Sequence, residues 1–124
     1  MSKTNFNEVE INGIVYVPKD SQLKQAESLD GMPYVIVRTY SAGVFAGFLE
    51  SRNGQEGVVR KARRIWYWSG AASLSQLAMS GTSDPDNCKF PEIVDKIELT
   101  NIIEILHCTD KAQKSIGEVK VWKN

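Results

Sequence analysis

Asn-Gly stands twice in this chain, at Asn12-Gly13 and at Asn53-Gly54, each time between β-rich runs. A two-residue hairpin loop of the I′ type needs φ > 0 at both central positions, and Asn-Gly meets that need at little steric cost. Each occurrence therefore predicts an antiparallel strand pair. The first predicts a small hairpin over residues 9–17, ended by Pro18. An isolated hairpin is barely stable in water, so this one has to dock on the main body or on a second subunit. Residues 19–33 read as a linker or a marginal helix, with weak helical spacing at Leu23, Ala26 and Leu29. Residues 34–40 read as a strand, and residues 41–50 continue it or pair back through a bulge or turn near Gly43. After the second Asn-Gly, residues 55–68 run back as a further strand.

A helix follows at about residues 71–79, with Ser69 or Ser73 as N-cap, Ser73 and Gln76 at capping-box spacing, and Gly81 at the C′ position. From Ser69 to Gly81 no side chain is charged, so this helix is expected to be buried or pressed against a partner. Residues 82–91 have loop composition. Residues 92–106 alternate, placing Ile93, Ile97, Leu99, Ile103 and Ile105 on one strand face interrupted by Asp95 and Asn101. Thr109 can cap a last helix, and Trp122 needs an apolar place to dock. The fold class is therefore α+β: an antiparallel sheet of about four or five strands with an N-terminal hairpin, one short buried central helix and a C-terminal helix. Residues 1–30 form the hairpin and linker, and residues 31–124 a single ligand-binding domain.

Fifteen basic and fifteen acidic residues cancel, so the whole molecule has no bulk attraction for nucleic acid or anionic membrane. No apolar run approaches the ~18 residues that span a bilayer, and the N-terminus lacks a signal-peptide core. Cys88 and Cys108 are then expected as reduced thiols in a cytosol.

The chemistry concentrates in residues 60–81. Arg60, Lys61, Arg63 and Arg64 precede Trp66, Tyr67 and Trp68, and small residues open the helix. If the strand is regular, Trp66 and Trp68 share one face and Tyr67 the other. These rings serve equally as core, although Trp68 at the helix entrance is better placed to line a pocket. Ser69, Gly70, Ala71 and Ser73 would form an anion seat at the helix start, with Arg38, Arg63 or Arg64 to neutralise it. The alternative for these cations is a solvated strand face. Tyr40, Ser41, Gly43 and Phe45 form a second group, a glycine-rich wall with a ring on each side. Asn101, an amide on an apolar face, either braces a loop or contacts a ligand, and the same choice holds for Phe90. Catalysis finds little support. His107 and Cys108 are adjacent on a strand and point to opposite faces, Cys88, His107 and Cys108 lack a fourth zinc ligand, and phosphate-loop, dinucleotide and nucleophile-elbow motifs are missing. No cofactor is called for. A single-stranded nucleic-acid module using residues 60–68 is the rival reading.

The blocks V-E-I-N-G-I-V-Y-V-P-K, V-R-T-Y-S-A-G-V-F-A-G, R-R-I-W-Y-W-S-G-A-A-S-L-S-Q-L-A-M, N-C-K-F-P and I-E-I-L-H-C-T-D-K-A-Q-K-S-I together resemble the type 1 Thoeris anti-defence sponges of phages and prophages. The similarity covers essentially the whole chain. It implies a protein without catalytic activity that sequesters cyclic ADP-ribose isomers, and possible cyclic oligonucleotide signals, in the cytoplasm of an infected or lysogenic bacterial host. It also implies a homodimer or higher homo-oligomer.

Overall fold

The computed structural model describes residues 8–11, 14–16 and 24–123. β1 (Glu8–Ile11) and β2 (Ile14–Tyr16) pair antiparallel as a hairpin, as expected, while the Asn12-Gly13 turn lies outside the described residues. The linker is not helical where it is described. Asp30 and Gly31 both take positive φ (51° and 82°), and Leu29 and Met32 exchange backbone hydrogen bonds across them at 2.8 and 3.0 Å. Asp30-Gly31 thus has positive φ at both central positions, whereas at the second Asn-Gly only Gly54 does (63°): Asn53 still pairs with Glu56, and the two-residue loop is Gly54-Gln55.

The main sheet contains β3 (Tyr34–Thr39), β4 (Val44–Asn53), β5 (Glu56–Arg64), β6 (Ile93–Leu99) and β7 (Ile102–His107). Its order is β6-β5-β4-β3-β7, with every pairing antiparallel. The β3–β4 turn depends on Gly43 at φ 108°, whose carbonyl accepts from both the N–H and the hydroxyl of Thr39.

The single alternating strand expected over residues 92–106 is two strands on opposite edges of the sheet. Only Thr100 and Asn101 join them. For so short a link to reach, the sheet curls until its edges meet at one end, where the Ile102 N–H bonds the Gln55 carbonyl at 2.9 Å. The curl has local causes in two bulges between β4 and β5. At the first, Arg60 pairs with Phe48 and Arg63 with Ala46, so Lys61 and Ala62 face Gly47 alone. Lys61 takes φ 53° there, and a Cβ on Gly47 would stand 2.8 Å from the Arg60 carbonyl oxygen. Such bulges increase twist and bend the strand.

The curl creates two cores. Inside it, Val35, Val37, Phe45, Val59, Ala62, Leu99 and Ile102 pack together. On its outer face, Tyr34, Ile36, Ala46 and Ile65 pack against α1 (Leu74–Ser80) and α2 (Asp110–Glu118). Ile93 and Ile103, expected on one face with Leu99, are both exposed: Ile93 begins the edge strand β6 opposite Arg63, and Ile103 is the extra residue of the bulge opposite Arg38 and Thr39. Ser73 caps α1 and Thr109 caps α2, each accepting from the backbone three residues on. α1 is only half buried: Leu77 and Ala78 face the core, while Ser75, Gln76, Met79 and Ser80 are exposed. Its outer face is polar without being charged. No helix among the described residues is long and apolar enough to cross a membrane.

Candidate functional site

A groove of about 770 Å³ opens between the sheet and α2. Its floor is aromatic. Tyr34 on β3 and Phe48 on β4 meet edge to face, with ring centroids 5.1 Å apart and planes at 74°. Leu29 and Ile93 extend the apolar lining from either side. α2 forms the opposite wall with Asp110, Gln113, Lys114 and Gly117, spaced so that one helical face looks inward. Gly117 leaves this wall low, because a Cβ there would meet no atom within 4 Å.

Cations come from β5. The bulge puts Lys61 at the groove, where it also reaches Asp95 at 3.7 Å. Arg63 lies deeper, only 3% exposed. Its Nε donates to the Pro91 carbonyl (3.2 Å), Nη1 to Ile116 (2.9 Å), and Nη2 to Phe90 and Val119. Two of those carbonyls belong to the end of α2, whose dipole places partial negative charge there. Burial lowers the Arg63 pKa, and no carboxylate pairs with it among the described residues. The groove thus carries Lys61, Arg63 and Lys114 against Glu27 and Asp110, and Lys114 is bridged to Asp110 at 3.0 Å. Burial first, and the nearby Cys108 second, push the Tyr34 phenol well above its usual range, so it stays a neutral donor at the floor. Burial pushes the Cys108 thiol up to about 12.

Of the residues expected to touch a ligand, only Arg63 lines this groove, together with Lys61 of the same basic run. The others lie in three places. Around the β3–β4 turn, Asn101 donates to the Ser41 hydroxyl (2.9 Å), its carbonyl accepts from the Tyr40 N–H, and Arg64 donates to the Ala42 carbonyl beside Gly43. Asn101 therefore takes the bracing role. Arg64 also covers the buried Phe45 ring at 4.4 Å, so that ring is not open to a base. Arg38 pairs with Glu104 at 2.8 Å on an exposed face, and Tyr40 projects into solvent.

The second place is the expected anion seat, where several donors are already engaged. Ser69 donates to the Asp84 carboxylate at 2.8 Å, the Ala72 N–H goes to the Gln76 side chain, and the Gln76 N–H goes to Ser73. Hydrogen bonds from Asn87 and Ser69 hold Asp84 below the usual carboxylate range, so a negative charge already stands where the pyrophosphate was expected. Gly70 is pressed against the next loop, since a Cβ there would fall 2.4 Å from the Asp84 nitrogen. Trp68 is half buried on the outer core and donates to the Ala71 carbonyl at 3.1 Å. In the third place, Phe90 is fully buried beneath the Arg63 guanidinium at 5.5 Å.

The rival nucleic-acid strand loses its cations in the same way. Arg60 pairs with Glu50 (3.3 Å) and Asp95 (3.7 Å), Lys61 pairs with Asp95, Arg63 is buried, and Arg64 is bound to Ala42. The strand itself stops at Arg64, short of the rings. The groove escaped sequence reading because its residues come from β3, β4, β5, β6, α2 and the 27–29 segment, with no shared motif. Gly117 near the end of a helix and the cation at a strand bulge are its only local signs. Among the described residues, no three His, Cys, Asp or Glu side chains gather for a metal.

Residues 32–116 match a family described as a domain of unknown function, DUF6948. The chain belongs to that family. The matched span runs from β3 through most of α2, so it takes in the whole curled sheet and the sheet-side wall of the groove. No curated protein and no solved structure matches the chain.

Proposed function

We propose that this protein binds and sequesters a small nucleotide signal, of the cyclic ADP-ribose class, in the groove between β3–β5 and α2. The observation that carries this reading is the combination in one groove of an aromatic floor, Tyr34 and Phe48, with Lys61 and Lys114 at its sides and the buried Arg63, which meets no carboxylate among the described residues, beneath them. At about 770 Å³ the groove falls within the ~300–1,000 Å³ of small-molecule sites. Phe48 offers a ring for the adenine and the Tyr34 hydroxyl a donor, and Lys61 and Lys114 reach a pyrophosphate by exchanging their solvent-exposed ion pairs with Asp95 and Asp110, pairs that contribute about 0–1 kcal/mol each. Gln113 offers an amide to ribose or base. The whole-chain resemblance to Thoeris anti-defence sponges supports the ligand class, the host-cell cytoplasm as place of action and binding without turnover. It also supports a homo-oligomer, for which exposed Ile93 and Val94 beside the groove give apolar surface.

Thermal melting in the presence of each cyclic ADP-ribose isomer, with linear ADP-ribose as control, tests the reading. Ligand at a hundredfold excess over its dissociation constant stabilises the fold by about 2.7 kcal/mol. The melt should rise by several degrees with a cyclic isomer and hardly at all with the linear compound. Chromatography after denaturation should return the ligand unchanged. A melt that no isomer moves defeats the reading, and recovered product in place of ligand makes the protein an enzyme.

A further inference from the structure

Beyond the sheet, three short segments lie side by side on a face that owes nothing to the groove. The Trp66 and Tyr67 N–H groups bond the Lys89 carbonyl at 3.1 and 3.3 Å, and the Lys89 N–H returns to Tyr67 at 2.8 Å. On the far side the Trp122 N–H bonds the Phe90 carbonyl at 3.0 Å, and Phe90 bridges Val121 in parallel. This arrangement presents three rings to solvent: Trp66 is 64%, Tyr67 52% and Trp122 42% exposed. Trp122 thus docks by its backbone and leaves its ring out. The Lys89 ammonium sits between two of these rings, 5.8 Å from Tyr67 and 5.6 Å from Trp122. Lys120 and Lys123 flank Trp122 and are exposed. None of the three lysines joins an ion pair among the described residues.

The platform is held from beneath. Arg63 binds the carbonyls of Phe90, Pro91 and Val119, so one buried side chain fixes two of the three segments. Rings fixed in place lose little entropy on binding. A second copy of the chain is a poor occupant, because a symmetric interface would set Lys89, Lys120 and Lys123 against their own counterparts. An acidic protein would satisfy the lysines and leave the ring faces unmatched. A strand of unpaired bases supplies both flat faces and a regular row of phosphates.

We propose that Trp66, Tyr67, Lys89 and Trp122 form a stacking platform for single-stranded nucleic acid, with Lys120 and Lys123 along its phosphates. The platform lies on another face from the groove and shares with it the Arg63 anchor alone, and it moves the nucleic-acid chemistry from residues 60–64 to the lysines of the other two segments. Stacking on aromatic side chains tolerates any base, so the platform discriminates single strands from duplex and not one sequence from another.

Fluorescence anisotropy with labelled twelve-residue oligothymidylate and oligouridylate, and with a duplex of equal length, tests this in low salt. Both single strands should bind, quench tryptophan emission and outcompete the duplex. With up to three phosphates engaged, log K should fall against log salt with a slope no steeper than about −2. Trp122→Ala and Lys89→Ala should each weaken binding by about five- to a hundredfold while the melting temperature holds, and Lys89→Ala should also flatten the salt slope. Three results overturn the proposal: no saturable binding of either single strand, equal affinity for duplex, or affinities that neither variant changes. A fall in oligomeric state on Trp122→Ala would also overturn it, by showing that a second copy covers the face.

Discussion

Arg63 shows how much can hang on one side chain. A guanidinium presents five N–H donors in a rigid fork, and this one reaches four carbonyls on two segments. An ammonium has three donors on a flexible stem and cannot span them. Arg63→Lys should therefore cost about 3 kcal/mol or more, read as a lower urea midpoint, since it leaves buried carbonyls unpaired. Lys61 tests the converse. It holds a positive φ of 53° that glycine would take freely, and its ion pair with Asp95 is exposed. Lys61→Gly should leave stability equal or raise it by up to about 1 kcal/mol, while weakening nucleotide binding measured by titration calorimetry. Cys108 sets a pH dependence. A free thiol ionises near ~8.5, whereas the folded thiol is pushed up to about 12. Its folded value is the higher one, so the stability it contributes is full below pH ~8.5 and is lost as pH rises through that window. Cys108→Ala should flatten the decline in urea midpoint between pH 8 and pH 10. None of these roles is legible from residue type. In the run R-K-A-R-R, the bulge at Lys61 shifts the alternation, and that shift turns Arg63 to the helix side of the sheet while Arg64 covers Phe45 on the other.

At the scale of elements, the glycines separate structural from functional constraint. Gly47 faces the bulge, and a Cβ would stand 2.7 Å from Val59 Cγ1 and 2.8 Å from the Arg60 carbonyl oxygen. Gly47→Ala should destabilise by about 1–3 kcal/mol through overpacking. Gly117 has open space around it, so Gly117→Ala should raise helix stability by up to about 1 kcal/mol while raising the groove wall and slowing or weakening ligand entry. The differing signs are checked by denaturant melts of the two variants side by side. The second hairpin and the helix caps were legible because their determinants are local, Gly54, Ser73 before Gln76, and Thr109, although the hairpin loop is Gly54-Gln55 and Asn53 stays in the ladder. The division of residues 92–106 into β6 and β7 was not, because apolar alternation continues across Asn101 and only the distant partner strands reveal the change. The strand expected to run on to Trp68 was misplaced for a related reason. Aromatic and β-branched residues favour strands, yet residues 66–67 find only Lys89 to pair with.

For the molecule as a whole, the two-residue join between β6 and β7 has a kinetic consequence. Neighbours in sequence become opposite ends of a ladder, so β7 finds its partner β3 across a separation of 66 positions at Arg38 and Glu104. Pairings of such range must meet the cost of closing a long loop before any contact repays it. The two hairpins β3–β4 and β4–β5 need no such wait. Refolding from denaturant should then run in the millisecond-to-second regime of β-rich domains, with the central three strands protected from hydrogen exchange before β7. Arg38→Ala and Glu104→Ala, which touch the last closure, should speed unfolding and leave the refolding rate nearly unchanged. Two residues that join neighbours in sequence would be among the last to draw tight.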